Sequence, residues 1–144
     1  MRHPILSTTL SLVLGSGIAL ADQGQTKAPP QPTAMDVFFD TDSSELTAEN
    51  DAALKDLADW AKCKKSNVIK LEGHADPRGT VEHNAELSEN RAEAVTERLV
   101  ELGAPRDRII VTLYGELGDR RDTLEEDRRV SAMPEKEPVI TGSR

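Results

Sequence analysis

The sequence predicts an α/β fold of the α+β type, a two-layer sandwich in which one mixed β-sheet is covered by helices. Three observations carry this. Short β-prone runs stand at Val37-Phe38-Phe39, Asn67 to Glu72 and Ile109 to Tyr114. Between them lie longer stretches whose apolar residues recur at intervals of three and four, the spacing of one helix face. Strands alternating with helices fold as one sheet layered under helices.

Taken in order, Val37-Phe38-Phe39 reads as a short buried strand, ended by the turn-forming cluster Asp40-Thr41-Asp42-Ser43-Ser44. Thr47 is placed to cap a helix over 48–62, with Leu54, Leu57, Ala58 and Ala61 inward and Asp51, Lys55, Asp56 and Asp59 outward. A second strand runs from Asn67 to Glu72, and Gly73 to Gly79 form a loop. The longest helix spans about 81–102, with Leu87 or Ser88, Ala92, Val95, Leu99 and Leu102 on its inner face and Gly103 ending it. Ile109 to Tyr114 is the most β-prone segment of the chain, and Arg129 to Met133 reads as a last short strand.

The ends read differently. Residues 1–21 carry Arg2 and His3 and then an apolar run from Ile5 to Ala21, the layout of a secretory signal, with Ala19-Leu20-Ala21 as the cleavage motif. Ser, Thr and Gly interrupt the run, so a retained membrane helix is the lesser reading. No cysteine stands near the cleavage point, so no direct lipid anchor is expected there. Residues 22–34 are a Pro/Gln-rich tether, 35–133 the folded domain, and 134–144 a disordered tail.

With 144 residues there is room for one domain of ordinary size. A net charge of −8 and no Lys/Arg run speak against nucleic acid, and four aromatic residues cannot build a base-stacking surface. A lone cysteine, Cys63, excludes an internal disulfide and leaves a buried thiol, the expected reading, or a free one able to dimerise. His3, His74 and His83 lack the ligand spacing of a metal site, and no nucleophile stands beside a base. No cofactor, no metal and no catalysis are expected.

Polar residues gather where packing does not ask for them. Asn84, Ser88 and Arg91 share one face of the long helix, with Leu87 at its edge, and Asp76 sits in the loop that feeds it. Asp76 could serve a ligand ammonium and Arg91 a ligand carboxylate, together gripping a zwitterion. By spacing alone, an internal Asp76–Arg91 ion pair is an equal reading.

The segment Gly73-His74-Ala75-Asp76-Pro77-Arg78-Gly79-Thr80, followed by Asn84, Leu87-Ser88 and Arg91 to Val95, resembles the signature of the OmpA-like C-terminal family. Its loop is especially similar to that of the family's peptidoglycan-associated lipoproteins. Val37 to Asp42 resembles the family's first strand and loop, while Leu113 to Glu116 and Arg128-Arg129-Val130 resemble its later landmarks. The resemblance implies a periplasmic domain that binds peptidoglycan without reacting with it. It assigns Asp76 to the amino group and Arg91 to the carboxylate of diaminopimelate in the stem peptide. Asn84, Leu87 and Arg128 would line the same groove, and Phe39, Asp40 and Thr41 would give one wall and its backbone donors.

Two departures from the family pattern stand out. Asp127 occupies a position where the family usually has Asn, adding negative charge beside the pocket, and the stretch from Glu116 to Glu126 is unusually acidic. An envelope protein docked on the same domain is the alternative partner, and hydrolysis of the wall ranks last.

Overall fold

A computed structural model describes residues 29–116 and 123–136. The expected signal, most of the expected tether and the expected tail beyond Lys136 lie outside the described residues. Four strands form one sheet: β1 (Met35–Phe38), β2 (Asn67–His74), β3 (Ile109–Gly115) and β4 (Arg129–Lys136). Helix α1 (Asp51–Cys63) joins β1 to β2, α2 (Val81–Glu101) joins β2 to β3, and the short α3 (Leu124–Asp127) leads into β4.

The sheet order is β1-β4-β2-β3, with β2 parallel to β3 and β4 antiparallel to both β1 and β2. The expected mixed sheet under helices is therefore present. Central β2 is buried along nearly its whole length, as its unbroken Val68-Ile69 and Leu71 require. Leu54, Leu57, Ala58, Trp60 and Ala61 of α1 and Ala92, Val95 and Leu99 of α2 close over Val37, Ile69, Leu71, Val130 and Ala132 to make the core. Gly73 lets α2 come close, since a Cβ there would lie 2.7 Å from the Ser88 carbonyl oxygen.

This topology gathers one set of chain ends. Strands β1, β2 and β3 run in the same direction and β4 runs against them. The segment after β1, the loop after β2, the end of β3, the start of α2 and the start of β4 therefore all meet at one rim of the sheet. A register shift between Gly73 and His74 against β3 ends the ladder there, and the Ala75 N–H donates to the Gly115 carbonyl at 2.8 Å. That bond sets where the next residue, Asp76, leaves the sheet.

Several expectations are corrected. The first strand ends at Phe38, whose side chain is 48% exposed, while Phe39 is buried just past the strand. Thr47 caps no backbone N–H; a single 3-10 turn, Ala48–Asn50, intervenes before α1, and Thr47 Oγ1 instead accepts from Asn50 Nδ2. The last strand continues to Lys136, so the chain is still ordered at 134–136 where a tail was expected. Pro134 is tolerated because β1 pairs only with Arg129 to Ala132, so β4 has no strand partner on that side beyond Ala132, and the Gln31 side chain donates to the Pro134 carbonyl at 2.8 Å. Cys63, expected buried, is exposed at the last position of α1.

Candidate functional site at the strand ends

Helix α2 begins under a side-chain cap: Thr80 Oγ1 accepts the His83 N–H at 3.2 Å. Its first turns then present Asn84 and Leu87 to a cavity of about 300 Å³, which is also lined by Thr41, Asp42, Asp76, Arg78, Gly79 and His83. Four of the expected residues, Thr41, Asp76, Asn84 and Leu87, thus share one cavity. Asn84 is buried and donates from Nδ2 to Glu116 Oε2 at 2.8 Å, a contact that ties α2 to the end of β3. Across the mouth, Asp42 holds a positive φ of 55° and places its Oδ1 2.7 Å from His83 Nε2.

Phe39, Asp40 and Arg128 line a second, larger cavity of about 670 Å³ on the β1 and β4 side, with Phe38, Glu45, Thr47, Thr123, Glu125 and Glu126. The residues expected in one groove are divided between neighbouring hollows. Arg128 links them, because its guanidinium donates to the Phe39 carbonyl at 3.1 Å and lies 3.6 Å from Asp76 Oδ2. A capping box closes the short turn before it, with Thr123 Oγ1 accepting from the Glu126 N–H and Glu126 reaching back to the Thr123 N–H.

Arg91, expected in the same groove, lines neither hollow and is fully buried. Nε donates to the Ser43 carbonyl at 2.8 Å, Nη2 to Asp40 at 3.0 Å and Nη1 to His74 at 3.4 Å. The guanidinium also sits 5.3 Å from the centre of the Phe39 ring. Burial, aided by nearby Arg128, pushes its pKa down to about 10, so it remains a cation at neutral pH. The planar fork expected to face a ligand is at work holding the loop after β1 against the loop after β2.

Asp76 lines the cavity but is buried. It pairs with Arg78, not with Arg91: Arg78 Nε reaches Oδ1 at 3.0 Å, Nη2 reaches Oδ2 at 2.9 Å, and the Arg78 N–H also donates to Oδ1 at 3.0 Å. The Arg78 guanidinium holds the Asp76 carboxyl well below its ordinary value, at about 2, against the opposing effect of burial. Sequence reasoning gave Arg78 no role, though an Asp two residues before an Arg in a tight Pro/Gly loop was a usable signal. Asp127, the departure from the family pattern, lines neither cavity; its Oδ1 lies 3.9 Å from Arg129 Nη1. No cluster of three or more His, Cys, Asp or Glu able to hold a metal occurs among the described residues.

The sequence matches the OmpA family over residues 38–132. This chain belongs to the OmpA family. Its OmpA domain is 37% identical over 102 residues to the peptidoglycan-associated lipoprotein of Rhizobium meliloti, covering 71% of this chain and 58% of that one. It is 42% identical over 79 residues to the protein of the same name from Mesorhizobium japonicum, covering 55% and 47%. The chain thus spans about half the length of these curated relatives. Among solved structures, the peptidoglycan-associated lipoprotein of Burkholderia pseudomallei aligns with a TM-score of 0.63 at 30% identity, covering 69% of this chain and 89% of that one. The C-terminal domain of Helicobacter pylori MotB shares the fold, with a TM-score of 0.61 at 21% identity and coverage of 72% and 85%.

Proposed function

We propose that this OmpA domain binds peptidoglycan non-covalently, in the bacterial periplasm, through the diaminopimelate of the stem peptide and without catalysis. The observation that carries the reading is the Asp76 cavity at the strand ends. It joins a carboxylate that stays ionised down to about pH 2 to the Arg128 guanidinium, 3.6 Å away. A zwitterionic side-chain end carrying one ammonium and one carboxylate meets both signs of charge there. The hollow of about 300 Å³, lined by the charged Asp42, Asp76 and Arg78 and by the apolar Leu87, suits the end of a peptide. Likeness to lipoproteins named for their association with peptidoglycan supports the same ligand class.

Co-sedimentation with purified diaminopimelate-type sacculi tests the reading. Wild-type protein is expected in the pellet and Asp76→Ala in the supernatant, because removing one half of a desolvated charged contact costs about 2 to 5 kcal/mol. Equal pelleting of both would contradict it. A second reading, docking of an envelope protein, draws on the larger cavity, where Phe38 stands exposed beside Asp40 and Glu45. Capture of such a partner that survives Asp76→Ala but fails with Phe38→Ala would favour that reading.

A further inference from the structure

The carboxylate assigned above to the ligand ammonium is already occupied. Both of its oxygens are taken by the guanidinium of Arg78, side-on, from the solvent side. The two side chains differ sharply in exposure: 9% for Asp76 and 53% for Arg78. Arg128, 10% exposed, approaches the same carboxylate at 3.6 Å. Asp76 is therefore held deep while its partner lies over it at the cavity wall, and any cation arriving from solvent meets Arg78 first.

We infer that Arg78 is an exchangeable cap on Asp76, a cation supplied by the chain itself that a ligand ammonium must displace before the site is filled. The inference rests on the peptidoglycan reading and adds what limits its affinity. The geometry makes the exchange local. The backbone N–H of Arg78 also binds Asp76 Oδ1, at 3.0 Å, and that bond does not depend on the side chain. The loop can keep its shape while the guanidinium swings away. Gly79, at φ +103°, lets the chain turn directly after Arg78 and delivers Thr80 to the cap of α2. No secondary structure has to open for the side chain to leave.

The cap has two consequences. A neutral ligand gains nothing at Asp76, because its arrival leaves the ion pair intact or breaks it without replacement. A cationic ligand gains only the difference between its own contact and that of Arg78, so the pair lowers affinity for every ammonium alike.

The test is a titration of the intact protein with a soluble tripeptide stem ending in diaminopimelate, comparing wild type, Arg78→Gln and Arg78→Lys. Gln keeps the backbone bond and removes the charge, and binding should tighten about fivefold, the weight of one half-exposed ion pair. Lys restores a cation without the side-on fork and should fall between the two. Carboxyl-carbon NMR on the ligand-free proteins supplies an independent reading: the Asp76 titration, near 2 in wild type, should move up toward the ordinary carboxylate range in Arg78→Gln. Tripeptide affinity that is unchanged or weaker in Arg78→Gln would overturn the cap and leave the peptidoglycan reading standing. Failure of all three proteins to bind the tripeptide would overturn that reading and the cap with it.

Discussion

Two charged residues, Asp76 and Arg91, stand close together at the rim of the sheet and do different work. Asp76 faces the cavity, and its depressed pKa fixes the sign of its pH dependence. Folding favours the ionised form, so the contribution is complete above the ordinary value of 3.8 and is lost as pH falls through about 2. Stem-peptide binding should accordingly hold from neutral pH down to about 4 and fail only in stronger acid, which a binding isotherm across that range would read. Arg91, by contrast, is fully buried and serves as a structural hub. Arg91→Ala removes a donor from three backbone carbonyls, of which that of Asp40 keeps the Ser43 N–H. We expect a loss of about 3 kcal/mol or more in urea unfolding. Arg91→Ala is thus a poor test of binding on its own, and Asp76→Ala the cleaner one. The sequence picked out both residues, but not the division between them, because spacing along a helix reports which face a residue occupies and not how deep it lies.

Helix α2 is the element that builds the site. Its N-terminus is anchored by Thr80 and its middle is pressed on β2 through Gly73. Gly73→Ala would put a methyl group 2.7 Å from a backbone oxygen of α2, where no side-chain rotation relieves it. It should lower stability by about 1 to 3 kcal/mol. It should also shift the amide resonances of Asn84 and Leu87, since these ride on the same helix. Thr80→Ala removes only the cap, for about 1 kcal/mol in the same unfolding experiment. The long helices were legible because Leu54, Leu57, Ala92, Val95 and Leu99 keep strict helical spacing and all are buried. The short pieces were not. Helix α3 spans four residues, too few for any period to emerge, and Pro134 reads locally as a strand end although tertiary pairing with Ile69 carries β4 past it.

At the scale of the molecule, function follows from direction. Three parallel-running strands and one reversed strand bring sequence-distant segments, from Phe39 to Arg128, to a single rim. Periodicity gives the strands and helices but not their order in the sheet, so it could not show that Phe39, Asp40 and Arg128 line one hollow while Thr41, Asp76, Asn84 and Leu87 line another. Motif resemblance supplied the list of residues, and only the folded arrangement separates them. The most direct test of the central claim is amide chemical-shift mapping of the whole protein during titration with the diaminopimelate tripeptide. The account predicts the largest shifts at Thr41, Asp76, Arg78, Asn84 and Leu87, with a smaller response around Arg128. Shifts confined to a separate groove of about 420 Å³ between α2 and β3, lined by residues that include Glu93 and Val111, would contradict it.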